Sequence, residues 1–426
     1  MRARALCKIP LGAGAALAVA LAAAGGPPAR AEDQAPPTGI ASWFNPTTAP
    51  FIPVPEIDHD PNSGLTLGLI PTWLITDDKQ QINRIIAPDV LYNPYFGYGI
   101  RGRIYAFPSN DSQWSTVAGA KERVESEFDS EYQTGRSRDT ALSVNTSVVY
   151  DRSGTPRFYG IGNSTPESDQ TNYTLQQMFA QVRVGWNLNH RWQIAYTMRA
   201  REVKIQEGTL DGIPSLDDFF GPIPGVGTTH ETLSRVEVVY DTRDDLTVPT
   251  RGGAYVLYGG AAAQDGVFDK SLYSEIGLDA RQLWSLASGN TIAAHAALRY
   301  MPGTTNVPFW SLSNIGGDQS TLDGSQPLRG FGQGRFCDRN SFSTSLEFRK
   351  RVLTVDAMST HIDVELTPFV DFGEVFAHSR DSPVAHLHHV GGLGFRGIAS
   401  PFVVGYVDVG YGSEGGAVFT GINYPF

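Results

Sequence analysis

Apolar and polar residues alternate along most of the chain from about residue 61 onward, and helical periodicity is nearly absent. A period of two residues is typical of β-strands, because successive side chains of a strand point to opposite faces. The segment RWQIAYTMRA (191–200) shows this pattern. Its two faces are Trp192, Ile194, Tyr196 and Met198 on one side, and Arg191, Gln193, Thr197 and Arg199 on the other.

Sixteen segments of this kind follow one another, separated by turn residues. They start near residues 64, 82, 97, 112, 139, 170, 190, 230, 251, 270, 290, 341, 362, 387, 401 and 415. An even number of strands fits a closed antiparallel barrel, which leaves no strand edge unpaired in lipid. Sixteen strands would enclose a space wide enough for water or for a plug.

A soluble β-sandwich would alternate in the same way, with its apolar face in the core. Three features favour a membrane barrel instead. The segments are longer than the five or six residues usual for soluble strands, the polar faces carry charges of both signs, and aromatic residues gather near segment ends. Those aromatic residues are Trp73, Tyr92, Trp192, Trp284, Tyr411 and Tyr424. We therefore expect an all-β fold, a sixteen-stranded antiparallel transmembrane β-barrel over residues 61–426.

The N-terminus is expected to direct export rather than to fold. Residues 1–31 combine a basic start, an apolar run and small residues before Glu32, which is the layout of a secretory signal peptide. The proline-rich residues 32–60 are predicted to form an irregular periplasmic tail. The leader holds four of the 33 basic residues and none of the 44 acidic ones, so a net charge of −11 becomes −15 in the mature chain. This charge argues against nucleic acid as a partner, and the single remaining cysteine, Cys337, predicts no intramolecular disulfide.

The C-terminus alternates up to the last residue. In GAVFTGINYPF, apolar and polar residues take turns as far as Tyr424 and Phe426, which predicts an aromatic last strand of the kind that ends outer-membrane chains. We expect these two residues to form the C-terminal signal at the seam, where the last strand meets the first. Four glycines near or in this strand are consistent with a seam that opens easily, although glycine also merely relieves crowding. They are Gly412, Gly415, Gly416 and Gly421.

A long loop without a strand pattern separates the strand ending near Met301 from the one starting near Ser341. Such loops in compact domains are usually functional or disordered. This one contains LRGF, with Arg329 and Gly330 between the apolar residues Leu328 and Phe331, a composition that is odd for a disordered loop. We expect the loop to fold into the lumen.

Alternation places the carboxylates of Glu347 and Asp371 on the inward faces of the next two strands. The planar guanidinium of Arg329 can bind such carboxylates in a bidentate manner and stays charged. We therefore predict that Arg329 pairs with Glu347 and Asp371 and fixes the position of the loop.

The LRGF motif, followed by GRF-x-D-x-N and then by SLEF, resembles the signature loop of the BamA/TamA-like bacterial surface antigen superfamily. The segments FVDFG (369–373), DTRDDLTVPTRGGAY (241–255), GIGNSTPESDQTNYT (160–174) and the terminal VDVGYGSEGGAVFTGINYPF extend the resemblance over most of the chain from about residue 61. In that family the arginine of this motif contacts acids on the following strands, one of them in the F-x-D-x-G motif. The resemblance implies an outer-membrane barrel that inserts or translocates other molecules.

The periplasmic POTRA modules that usually precede such barrels would not fit between the predicted cleavage site and the first predicted strand. We therefore expect a POTRA-less barrel in the bacterial outer membrane, which assists the insertion or transport of proteins or lipids. A passive pore and a surface protein with ligand-binding loops are the alternatives. No catalytic residue, metal site or cofactor is predicted. The expected partners are outer-membrane lipids, client outer-membrane proteins, or a separate periplasmic protein.

Overall fold

The computed structural model describes residues 51–77, 82–109, 111–266, 270–303, 306–357, 360–378, 380–381, 383–399, 403–422 and 424–426. The predicted signal peptide and residues 32–50 of the predicted tail lie outside this part of the chain. The strands are β1 (Ile52–Asp60), β2 (Gly64–Thr76), β3 (Ile82–Ile86), β4 (Asp89–Asn93), β5 (Gly97–Ser109), β6 (Ser112–Lys121), β7 (Ser126–Thr134), β8 (Leu142–Ser153), β9 (Arg157–Phe158), β10 (Thr171–Asn187), β11 (Trp192–Glu207), β12 (Gly227–Asp241), β13 (Gly252–Gly266), β14 (Lys270–Ser285), β15 (Asn290–Tyr300), β16 (Ser313–Ile315), β17 (Ser325–Gln326), β18 (Phe336–Asp338), β19 (Asn340–Ala357), β20 (Thr360–Phe376), β21 (His388–Ala399), β22 (Val403–Gly412) and β23 (Gly415–Ile422). Within the same described ranges, the helical elements are α1 (Leu216–Phe220) and three 3-10 turns at Glu167–Asp169, Ala287–Gly289 and Phe309–Ser311.

Nineteen of these strands form one closed antiparallel barrel of eighteen strands, because β3 and β4 act as two halves of a single strand between β2 and β5. Each strand pairs with its neighbour in the chain, and β1 closes the barrel against β23. The short strand β9 extends the ladder at one end of β10. The strands β16, β17 and β18 form a separate small sheet in the connection between β15 and β19.

The prediction of sixteen strands is therefore wrong by two, although every predicted start lies within a few residues of an observed strand. One missed strand is β1, which the sequence placed in the irregular tail because of its prolines. The other is β7 (SEFDSEYQT), in which Phe128 and Tyr132 are the only large apolar residues. The tail prediction is thus wrong for residues 52–60, and the barrel begins at Ile52.

The exposure of the two strand faces distinguishes a membrane barrel from a soluble sandwich. On β11 the apolar residues Trp192, Ile194 and Met198 are 42–50% exposed. The polar residues Gln193 and Thr197 on the opposite face are only 2–3% exposed. A soluble sheet would bury its apolar face and leave the polar one in water, whereas a membrane barrel turns the apolar face to lipid.

The two ends of the barrel differ in the length of their connections. The segments 154–170, 208–226, 301–339 and 377–387 all join strands at the same end, because the strands run alternately up and down. The other end carries mostly short turns. In outer-membrane barrels the longer loops are extracellular and the turns are periplasmic, so β1 begins and β23 ends at the periplasmic end.

The connection at residues 301–339, which we call the long loop, folds into the barrel as predicted. Its residues Ile315, Leu328 and Phe331 pack against Phe369 and Val390 of the barrel wall. Nearer the extracellular end, residues of three connections form an apolar cap around Phe158, Leu216, Phe309 and Leu312. No described helix has the length and apolar character needed to cross a membrane.

Candidate functional site

The guanidinium of Arg329 lies at the centre of a buried charge cluster in the lumen. Its Nε and Nη2 donate to the two carboxylate oxygens of Asp371 at 2.9 and 2.8 Å, and its Nη1 donates to Glu347 Oε1 at 2.6 Å. The backbone N–H of Arg329 also donates to Asp371, at 3.1 Å. The structure thus brings together the three residues that the sequence singled out.

A third carboxylate, which the sequence reasoning missed, completes this site. Asp408 on β22 accepts a hydrogen bond from Arg329 Nη1 at 2.8 Å. The side chains of Arg329 and all three acids are fully buried. Burial alone would lower the pKa of the Arg329 guanidinium, but Asp371, Asp408 and Glu347 together raise it well above its ordinary value. Arg329 therefore stays charged at every physiological pH.

Two further arginines from the wall compensate the excess negative charge. Arg396 on β21 pairs with Asp408 and lies 3.4 Å from Glu347. Arg349 on β19 donates to Glu347 Oε2 at 2.9 Å. The cluster therefore contains three arginines and three carboxylates, so the loop and four wall strands share a network without net charge. Breaking such a buried network by removing one partner is costly, because the remaining charges are left unpaired.

Glycines allow the loop to approach the wall closely at this point. A Cβ atom built at Gly410 on β22 would lie 1.8 Å from the carbonyl oxygen of Arg329. At Gly330 in the loop it would lie 2.7 Å from the backbone nitrogen of Gly412, and Gly412 itself faces the ring of Phe331. Close approach of the backbone is one of the reasons for glycine within strands. Gly412, which the sequence associated with an easily opened seam, thus makes room for the long loop.

The C-terminal residues do not continue the last strand, which corrects the prediction for Tyr424 and Phe426. The strand β23 ends at Ile422, and the tail formed by residues 424–426 turns into the lumen. There the Tyr424 ring stacks on the Arg349 guanidinium at 3.8 Å, and the Phe426 ring stacks on His295 at 5.1 Å. Alternation could not reveal this turn, because a strand and an inward tail give the same sequence pattern over three residues.

The seam between β1 and β23 registers at one position among the described residues, His59 opposite Val418. On its other side, β1 is in register with β2 from Ile52 to Asp60. Pro53 faces Pro71 in that ladder, and since neither has an N–H, this cannot be a hydrogen-bonded pair. The backbone of an antiparallel strand points alternately to its two neighbours. Pro53, Pro55, Ile57 and His59 therefore point toward β23.

Two of these four positions are prolines, so the periplasmic half of β1 offers no donor to β23. Prolines in sheets are confined to edge strands for this reason. The residues of β1 that point toward β2 are not prolines, so the β1–β2 ladder keeps all the N–H donors of β1. We therefore expect weak pairing between β1 and β23 from Pro55 to the periplasmic end, because β1 lacks backbone donors there.

The described residues hold no group of three or more His, Cys, Asp or Glu side chains arranged for a metal ion. Cys337, the only cysteine in the described part of the chain, is a buried thiol next to the carbonyl oxygen of Gly160. Burial raises the pKa of this thiol to about 12. It therefore remains protonated and packs as an apolar side chain.

Comparison with known proteins gives one family match and several distantly similar solved structures. The Omp85 superfamily domain matches residues 113–394. Among solved structures, BamA from Haemophilus ducreyi lacking POTRA domains 1–3 is 14% identical, with a TM-score of 0.49, covering 83% of this chain and 75% of that one. CdiB from Acinetobacter baumannii is 14% identical and CdiB from Escherichia coli 10%, each with a TM-score of 0.45, covering 87% of this chain and 66% of theirs. No curated protein matches the sequence.

Proposed function

Because this chain belongs to the Omp85 superfamily, we propose that it helps proteins or lipids to enter or cross the bacterial outer membrane. The observation that carries the proposal is the seam. A barrel that only conducts ions gains nothing from weak pairing between its first and last strands, because each unsatisfied backbone group in lipid costs several kcal/mol. In this chain Pro53 and Pro55 remove the backbone donors that the periplasmic half of β1 would otherwise offer to β23.

In this mechanism the seam gives access between the lumen and the lipid. The long loop holds β19 to β22 in place through the Arg329 cluster, so that the rest of the barrel keeps its shape while β1 and β23 separate. The partners would be lipids, client barrel proteins, or a periplasmic protein that supplies POTRA-like modules. Export would depend on residues 1–31. The proposal assigns no catalytic step to the chain.

The test is the outer-membrane protein and lipid inventory of a strain that lacks this protein. The strain is complemented with the wild-type chain or with a variant in which cysteines replace His59 and Val418 in a Cys337→Ser background. The two positions are directly opposite each other, so a disulfide can form across the seam. We expect specific barrels or lipids to fall without the protein, and the disulfide form to restore them only after reduction.

The Cys337→Ser chain without the paired cysteines is the matched control. An unchanged inventory in the deletion strain would reject the proposal. Full complementation by the disulfide form would show that the seam need not open, which would equally remove its basis.

A passive pore is the second candidate, because part of the lumen is open to water. The inward face of β7 carries Glu127, Asp129 and Glu131, opposite the outward Phe128 and Tyr132. Asp129 is exposed even though it faces the lumen, and its partners in register are the short side chains of Val117 and Val149. The long loop packs against the opposite wall, so the β6–β8 side retains solvent.

A further inference from the structure

The extracellular end of the seam is bridged by four residues of the long loop, residues 332–335, which we call the strap. On the β1 side, Asn62 in the turn between β1 and β2 donates from Nδ2 to the carbonyl oxygen of Gln333 at 2.7 Å. On the β23 side, Arg335 binds Glu414 in the turn between β22 and β23. The strap therefore contacts the two turns that flank the seam.

The contact with Glu414 has the geometry of a strong ion pair. Arg335 Nε and Nη2 donate to the two carboxylate oxygens of Glu414 at 2.7 and 2.6 Å, a bidentate arrangement. The Arg335 side chain is 2% exposed, and its guanidinium also stacks on Tyr159 at 4.1 Å. Its Nη2 donates in addition to the carbonyl oxygen of Thr165 at 2.8 Å. The contacts with Tyr159 and Thr165 thus hold the Arg335 guanidinium in position to pair with Glu414.

The contact with Asn62 depends on close backbone approach. A Cβ atom at Gly332 would lie 2.4 Å from Asn62 Oδ1. The carbonyl oxygen of Asn62 also accepts a hydrogen bond from Arg157, and the Asn62 side chain is 1% exposed. The β1–β2 turn is therefore fixed between Arg157 and the strap.

We propose that the strap is a regulatory clasp, which holds the extracellular end of the seam shut through Arg335 and Glu414 while the periplasmic end stays open. This inference rests on the proposed function, because it concerns control of the same seam. The registered pair of His59 and Val418 lies just below the strap, and the prolines and the inward C-terminal tail lie farther toward the periplasm. Opening for a client would begin at the periplasmic end and would be completed when Arg335 leaves Glu414.

The experiment measures closure of the seam directly, in purified full-length protein in phospholipid vesicles without any client. Cysteines replace His59 and Val418 in the Cys337→Ser background, and the rate of disulfide formation under mild oxidant reports how long the two strands stay together. We expect Arg335→Ala and Glu414→Gln each to slow this rate about tenfold, the factor that corresponds to losing one charge-assisted contact. Glu414→Gln removes the charge but keeps the size of the side chain. A slower rate in this variant therefore reports the loss of the ion pair, even if Arg335→Ala folds poorly.

The charge exchange Arg335→Glu with Glu414→Arg is expected to recover much of the rate, because the pair is restored in the opposite sense. Arg243→Ala is the matched control, since Arg243 also forms a bidentate pair, with Asp241, but at the periplasmic end away from the seam. Equal rates in wild type, Arg335→Ala and Glu414→Gln would overturn the clasp. That result would leave the proposed function standing, because the inventory of the deletion strain is measured independently.

Discussion

At the scale of single residues, Arg329 is the position where the structure makes the clearest prediction. Arg329→Ala leaves the carboxylates of Asp371, Asp408 and Glu347 buried without their shared partner. We expect a loss of about 3–5 kcal/mol in the free energy of unfolding, measured by urea denaturation in vesicles. Protease cleavage within residues 316–335 should also become faster in the variant.

Arg251→Ala is the control for this measurement. Arg251 is 76% exposed and lies 3.8 Å from Asp244, and exposed pairs contribute about 0–1 kcal/mol. Equal unfolding midpoints for Arg329→Ala and Arg251→Ala would contradict the view that the buried network fixes the long loop.

A second prediction at this scale concerns Gly410. Because a Cβ atom there would overlap the backbone carbonyl of Arg329, Gly410→Ala should displace the loop without removing any charge. We expect loop cleavage by protease to accelerate as it does for Arg329→Ala. Gly405→Ala on the same strand adds the same methyl group where no atom lies within 4 Å, and it should behave as wild type. Identical cleavage in both glycine variants would exclude the close-approach role.

The residues around Arg329 show what a sequence can predict about a lumen. Glu347 and Asp371 could be found because each lies on the inward face of a strand close after the loop. Asp408 shares the same signal, since it alternates with Val407 and Val409, but it is 79 residues away from Arg329. Only closure of the barrel brings β22 next to the loop, and alternation contains no information on curvature.

At the scale of strands, the prolines of β1 lead to the next prediction. If Pro53 and Pro55 keep the periplasmic half of the seam open, a residue with a backbone N–H at one of these positions should extend the pairing between β1 and β23. In the Pro55→Val variant the new N–H faces Ile422, which follows from the register of His59 with Val418. We expect slower hydrogen exchange at the Ile422 amide and weaker activity in the inventory assay.

Pro71→Val is the matched control, because Pro71 lies on β2 and its backbone points away from β1. It restores a donor in the same hairpin but leaves the seam as it is. Faster or unchanged exchange at Ile422 in Pro55→Val would show that proline does not determine how far the seam pairs.

The same prolines explain why β1 could not be recognised from its sequence. Proline normally indicates a strand edge or a loop, and three prolines in residues 50–55 favoured a tail. β7 was missed for a different reason. Its lumen face carries three acids and its lipid face only two aromatic residues, so the contrast between the faces is weak. The other strands were predictable because lipid on one side and a packed lumen on the other enforce strict alternation.

At the scale of the whole molecule, the long loop covers only part of the lumen. On the wall from β11 to β15, Arg199 and Arg235 pair with Asp323 of the loop and also with the wall acids Glu231 and Glu275. On the opposite wall, β7 carries Glu127, Asp129 and Glu131, and Asp129 is exposed. The charges on the loop side are thus paired with one another, and an exposed acid faces the water on the other side. A residual current through this barrel should therefore prefer cations.

This division gives a prediction that also separates the two candidate functions. In planar bilayers under a KCl gradient, we expect a small current whose reversal potential indicates cation preference. Asp129→Lys should shift the reversal potential toward that of anions, because the new charge lies on a water-accessible part of the lumen wall. Asp265→Lys is the control, since Asp265 is 63% exposed near the end of β13 and pairs with Lys270.

The size of the current matters as much as its sign. The apolar cap around Phe309 and the long loop both narrow the extracellular half of the lumen. This narrowing would limit the current through a barrel whose function is conduction. A large current that is insensitive to Asp129→Lys and to Arg329→Ala would indicate a path elsewhere in the lumen and would favour the pore. A small current that increases when Arg329 is replaced indicates that the loop is the main obstruction. The lumen is then kept closed at rest, as a transport barrel with a seam requires.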